Sequence, residues 1–240
     1  MTRLAVLGAS GRMGQAVLRL AGELDFEVVA QVSAGEDLAS IGRSQPEVVI
    51  DFSSPEATRA LSVIAADAGA AIVSGTTGLD ENSLRCLDAA SARVPIFWAP
   101  NMSVGVHVLG VLVARAIEML GPDFDIEITE AHHRRKVDAP SGTALRLAEI
   151  AQSTRSKRST ITHGREGRPG ARTATEIGMH AIRGGDVIGD HHVHLLGEGE
   201  RIELVHRASS RDLFARGALR AARFVIGKPP RRYSMSDLFT

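Results

Sequence analysis

Two apolar patterns alternate over the first hundred residues. LAVLG (4–8), VVAQV (28–32), EVVIDF (47–52), AAIVSG (70–75) and VPIFWA (94–99) are short apolar runs of strand length. Between them, apolar residues recur at helical spacing over 13–24, from Pro55 to about residue 68, and over 81–92. Met13, Ala16, Val17, Leu20 and Ala21 share one side of the first of these helices, and Pro55 takes a favoured early helical position. The unbroken apolar run of EVVIDF suits a strand buried on both faces. Strands alternating with helices predict a parallel sheet with right-handed crossovers.

The pattern changes after Asn101. VGVHVLGVLVARAIEML (104–120) reads as one long, mostly apolar helix stopped at Gly121-Pro122. DIEITEA (125–131) alternates like a half-buried strand. A helix is expected from Gly142 to about Thr154, with Ser141 and Thr143 as cap candidates, then a solvated loop over 153–160. Stretches 173–182, 186–196 and 201–208 read as three strands separated by glycine turns. Consecutive strands imply an antiparallel or mixed sheet, and so a second domain. A last helix is expected over 213–226, and the KPPRR run that follows reads as a solvated tail.

Composition narrows the class. Of 240 residues, 44% are hydrophobic, enough for a buried core, and 23% are charged. Lys+Arg and Asp+Glu are both 28, so a general polyanion binder is not indicated. Aromatics at 4% argue against base-stacking surfaces, and no nucleic-acid partner is expected. Cys86 stands alone, so no intrachain disulfide can form, which suits a reducing cytosol. The apolar run at 4–7 is too short for a signal-peptide core. No stretch is expected to reach the ~20 apolar residues of a membrane span. A cytoplasmic protein without a membrane partner is therefore expected.

Gly8, Ala9, Ser10, Gly11, Arg12, Met13 and Gly14 lie between the first strand and the first helix. Glycine permits a tight turn and close backbone approach, and the helix start offers free N–H groups to a pyrophosphate. The spacing is GxxGxxG rather than GxGxxG, and a plain strand–helix turn would also explain it. Ser33 ends the second strand near the place where an acid commonly holds a ribose; the acids Glu36 and Asp37 come slightly later. Its hydroxyl would not repel a 2′-phosphate, and Arg12 or Arg43 could bind one, so NADPH and NADH both remain open. Gly75, Thr76 and Thr77 follow the fourth strand, and Ala99, Pro100, Asn101 and Met102 the fifth. Both turns are placed to meet the nicotinamide half of a dinucleotide.

EAHHRRKVDAPSGTA (130–144) is the second constellation. His132 and His133 can exchange protons near neutral pH, and Lys136 lies four residues beyond His132. Arg134, Arg135 and Lys136 could hold an anion, and Ser141-Gly142-Thr143 opens a helix suited to a carboxylate. A solvated basic loop explains Arg134 and Arg135 but not the paired histidines before a cap. In DHHVH (190–194), His192 and His194 share a strand face. No third well-spaced ligand accompanies them, so no metal site is expected.

Taken together, GASGRMG, SGTTG, APNMSVGV and EAHHRRKVDAPSGTA resemble the 4-hydroxy-tetrahydrodipicolinate reductase family along nearly the whole chain. The resemblance implies a Rossmann-type parallel-sheet cofactor domain over 1–103, completed by 213–240. It implies an α+β substrate domain with a mixed or antiparallel sheet over 104–212, which would build a homotetramer. By the same resemblance His132 and Lys136 are catalytic, and His133, Ser141, Gly142 and Thr143 bind a small dicarboxylate. The glycine loop, Gly75 to Thr77 and Ala99 to Met102 would bind NADPH or NADH. Met102 stands where phenylalanine is usual, His107 where asparagine is common, and Ser33 where many relatives carry an acid. The rivals are an aspartate or homoserine dehydrogenase, which would not account for HHRRKVDAPSGT, and a non-catalytic dinucleotide-binding module.

Overall fold

A computed structural model describes residues 1–155 and 159–239. The chain divides into two compact units, one of Met1–Val104 with the chain from Arg211 onward, the other of Gly105–Ser210.

The first unit is built on a sheet of six strands: β1 (Thr2–Leu7), β2 (Phe26–Val32), β3 (Val48–Asp51), β4 (Ala71–Ser74), β5 (Ile96–Trp98) and β11 (Arg232–Tyr233). All its pairings are parallel and its order is β11-β5-β4-β3-β1-β2. The order reverses beside β1: β2 lies on one side and β3 on the other. Ligands in such sheets sit beyond the carboxyl ends of the strands at that switch. Alternation along buried strands sorts side chains onto the two faces. Leu4, Val6, Val48, Ile50, Val73 and Phe97 join the core under α1 (Arg12–Ala21) and α7 (Asp212–Val225). Ala5, Leu7, Val49, Ile72 and Ile96 join the core under α3 (Pro55–Ala68) and α4 (Glu81–Ser91). The start of α3 is fixed locally: Ser54 caps it by accepting from the Ala57 N–H, with Pro55 at the first helical position. A five-residue helix, α2 (Ala39–Arg43), was not expected from the sequence.

The second unit has a mixed sheet ordered β10-β9-β6-β8-β7. Its strands are β6 (Asp125–His132), β7 (Thr160–His163), β8 (Glu176–Arg183), β9 (Gly189–Leu196) and β10 (Arg201–Ala208). β6 pairs parallel with β8 and antiparallel with β9. Helices α5 (Val104–Leu120) and α6 (Gly142–Thr154) cover it. Leu109, Val113, Ala144, Leu147 and Ala148 from these helices pack with Ile126, Ile128, Ile177 and Val193 of the sheet.

Several expectations need correction. The KPPRR run is exposed over 228–231, as a solvated run would be, but its last residue, Arg232, joins Tyr233 in a strand beside β5, and Tyr233 and Met235 beyond it are buried. The strand β7 begins at the end of the expected loop 153–160, whose residues 156–158 lie outside the described residues. The stretch Val104–Asp123, with a mean hydropathy of 1.7, is after all long and apolar enough to cross a membrane by length and composition alone. Leu109, Val113 and Ile117 from that stretch enter the second unit's core, as a core helix would.

Candidate active site

The glycine loop turns where the strand order reverses. Gly8 has φ +82°, a left-handed conformation that glycine adopts without penalty. A Cβ on Gly8 would stand 2.3 Å from the Phe52 carbonyl oxygen, and one on Gly14 would stand 2.2 Å from the Gly8 carbonyl oxygen. Gly8 therefore lets β1 turn beside β3, and Gly14 lets α1 seat against the loop. Gly11 is the N-cap of α1 and gives it no side-chain cap, leaving the helix start open to an anion. Ser10, Gly11 and Arg12 are exposed; Ala9 is buried and Met13 half-buried.

Ser33 is joined to this loop, since its hydroxyl accepts the Ser10 N–H at 3.2 Å. The Ser33 N–H in turn donates to the Glu36 carboxylate at 2.6 Å. The acid that arrives three residues late is thus folded back to the end of β2.

At the ends of β3 and β4, sequence reading missed Asp51. Its carboxylate is fully buried and accepts from the hydroxyls of Thr58, Ser74 and Thr76 at 2.6, 2.9 and 3.0 Å, and from Ser53. It fixes the turn that carries Gly75, Thr76 and Thr77. Thr77 is exposed and Thr76 buried. The available signal was a single acid closing an apolar strand just before two serines. In the turn after β5, Pro100 is exposed and Asn101 half-buried, whereas Ala99 and Met102 are buried in the core. Met102, expected at a cofactor contact, puts its side chain among apolar neighbours and its carbonyl against Gly217 of α7.

In the second unit, β6 alternates Ile126, Ile128 and Glu130 on its buried face, so the carboxylate ends an otherwise apolar row. Two residues on, His132 shares that face, and its Nδ1 lies 2.6 Å from a Glu130 oxygen. Arg183, opposite His132 on β8, grips Glu130 with both terminal nitrogens at 2.8 and 2.7 Å. The Ser141 N–H donates to Glu130 at 3.1 Å. Burial pushes the Glu130 carboxyl up, and the hydrogen bonds from Arg183 and His132 outweigh that, holding its pKa below the ordinary carboxylate value.

Ser141 caps α6 by accepting from the Ala144 N–H, and its hydroxyl lies 3.1 Å from His191 Nε2. Gly142 is exposed and Thr143 half-buried at the same helix start. Burial, helped by the neighbouring charge of His132, lowers the His191 pKa to about 4. The rings of His132 and His191 meet edge to face with centroids 5.3 Å apart. Lys136 is 2.8 Å from Asp138, while Arg134 and Arg135 are exposed, as a solvated loop would have them. His133 is half-buried beside His132 in sequence, and its N–H donates to the Val187 carbonyl. His132, Ser141 and His191 are therefore gathered around one buried carboxylate. His192 and His194 stack loosely, their centroids 6.0 Å apart, and His194 faces Glu203.

A family model described as "Dihydrodipicolinate reductase, N-terminus" matches residues 2–102, and its C-terminal counterpart matches residues 105–239. The chain belongs to the dihydrodipicolinate reductase family. It is similar to the 4-hydroxy-tetrahydrodipicolinate reductase of Alkalilimnicola ehrlichii, at 46% identity over 99% of this chain and 98% of that one. That of Myxococcus xanthus is 44% identical over 99% and 97%. In fold, the chain resembles a dipicolinate-bound dihydrodipicolinate reductase from Paenisporosarcina sp. TG-14. The TM-score is 0.81 at 24% identity, covering 98% of this chain and 97% of that one. A probable dehydrogenase from Thermotoga maritima shares the fold more loosely, with a TM-score of 0.62 at 12% identity over 98% and 92%. Because the family match extends through 105–239, it includes the HHRRKVDAPSGT segment that the rival dehydrogenase readings could not explain.

Proposed function

We propose that this chain is a 4-hydroxy-tetrahydrodipicolinate reductase of the diaminopimelate route to lysine, using NADH or NADPH. Family membership across both units carries that reading. The glycine turn supports the cofactor: Cβ atoms would collide at Gly8 and Gly14, and the start of α1 has no side-chain cap. Gly8 to Met13, Ser33, Gly75 to Thr77 and Ala99 to Met102 would hold the dinucleotide, which when bound would supply hydride to ring C4 after the 4-hydroxyl has left as water.

The protein's own part is placement and proton handling. His133, Ser141, Gly142 and Thr143 receive the carboxylates of a small dicarboxylate at the start of α6. His132 delivers a proton to the ring as hydride adds, relayed with Lys136, and positioned acid–base help of this kind is worth about 10²–10⁴ in rate. The first unit is the dinucleotide-binding domain and the second the substrate domain. The second also forms a homotetramer through its sheet, a reading supported by exposed Ile182 on β8 and Val205 on β10, which share the sheet face away from the helices. A lone cysteine and a small-molecule biosynthetic activity fit a cytoplasmic setting.

The test is a coupled assay with freshly generated substrate and each reduced cofactor. Dinucleotide oxidation dependent on substrate is expected. Replacing His132 and Lys136 together should reduce turnover by about 10²-fold or more while dinucleotide affinity persists. Unchanged turnover in that double variant would overturn the assignment of the pair. Solution mass tests the tetramer.

A further inference from the structure

We propose that Glu130 is a positioning residue: its buried carboxylate fixes His132 with the proton on Nδ1, so that Nε2 is the atom that exchanges a proton with substrate. This rests on the proposed role of His132. A carboxylate at the end of the apolar row Ile126-Ile128 is costly to bury unless fully satisfied. Here it is fully satisfied, by two nitrogens of Arg183, the Ser141 N–H and His132. Arg183 and Ser141 alone would explain a structural strut. The fourth partner goes further, because an ionised carboxylate can only accept. At 2.6 Å it therefore demands a donor, and His132 Nδ1 must carry hydrogen.

The far side of the ring meets a glycine. A Cβ at Gly189 would come within 3.0 Å of His132 Nε2, so glycine there leaves that nitrogen its space. The same carboxylate holds Ser141, the cap of the helix proposed to take the substrate carboxylate. Arg183 also donates to the Asp138 carbonyl at 2.6 Å, and the Asp138 carboxylate pairs with Lys136. One ion pair, between buried Glu130 and half-buried Arg183, thus underlies the imidazole, the ammonium and the anion-binding helix start. A carboxylate behind a histidine sets tautomer and ring orientation in just this way at other acid–base and metal sites.

The test is Glu130→Gln, which keeps the shape and one oxygen able to accept from Ser141 and one Arg183 nitrogen, but puts an NH2 donor where the other oxygen accepted from the second Arg183 nitrogen and faced His132 Nδ1. Nitrogen-15 NMR of the imidazole is expected to show Nδ1–H with unprotonated Nε2 in the neutral wild-type ring, and a mixed or reversed tautomer in Glu130→Gln. The kcat should fall about 10²-fold with KM largely held. In a His132→Asn background the same change should cost little more, because the two residues act as a unit. Glu130→Asp, retaining the charge, should recover part of the kcat. If Glu130→Gln weakens folding, the tautomer is read below its melting temperature. A wild-type tautomer in that variant, or a kcat loss that simply adds to that of His132→Asn, overturns the proposal. The NMR arm needs no substrate, so its failure is distinct from failure of the reductase reading, which would appear as no substrate-dependent oxidation by the wild type.

Discussion

Burial keeps the His191 imidazole neutral against Ser141, with its Nδ1 buried and unpaired among the described residues. Its ordinary pKa of 6.5 applies to the unfolded chain, and about 4 to the folded one. Above pH 6.5 neither state is charged, and this residue adds no pH dependence. As pH falls below 6.5 the unfolded chain takes up a proton that the folded chain refuses, so stability drops until the folded ring also titrates near pH 4. Thermal melts across that window should show the loss, at most a few kcal/mol from this site. His191→Gln should flatten it while keeping a polar partner for Ser141. An unchanged slope in the variant would remove His191 as its source. At this scale the sequence is unevenly legible. The HHRRK run announces itself by density. Asp51 and Glu130 do not, because an isolated acid in an apolar strand looks like an ordinary polar position. What buries them is distant in sequence: Thr76 lies 25 residues from Asp51, and Arg183 lies 53 from Glu130.

Among the elements, α7 seats with its backbone against the turn after β5. A Cβ at Gly217 would stand 1.8 Å from the Met102 carbonyl oxygen, too close for either backbone to yield cheaply. Gly217→Ala should destabilise the protein by about 1–3 kcal/mol or more, read as a lowered melting temperature. Gly22→Ala is the contrast: it has right-handed φ and nothing within 4 Å of its would-be Cβ. It should be neutral or stabilising by about 0.4–1 kcal/mol. If the two melted alike, close packing at Gly217 would be refuted. Long periodic elements were legible because burial imposes their period. Strands β7 and β11 were not, at four and two residues with little alternation. Only the tertiary setting makes Tyr233 a strand residue, its ring edge-on to Phe224 with centroids 5.5 Å apart.

For the whole molecule, the decisive feature is that the first unit is assembled from two separated segments while the second is continuous. Ala215, Ala218, Leu219, Ala222, Val225 and Tyr233 all belong to the same core cluster as Leu4, Val6 and Ile50. A fragment ending at residue 210 should therefore lose the cooperative melt of the first unit and retain at most that of the second, which has its own core. Calorimetry on the fragment checks this, and a preserved two-unit profile would refute it. The overall alternation revealed the parallel sheet, but not that the last strand in the chain would stand at its far edge beside β5.

That divided construction also sets an order of events during translation. The segment 1–104 leaves the ribosome with one face of its sheet covered by α1 alone, and must wait through synthesis of 105–210 before α7 arrives to complete it. The middle of the polypeptide can finish folding first, reversing the usual head-to-tail sequence. The nascent N-terminal half is accordingly the stage at which chaperone capture would matter most.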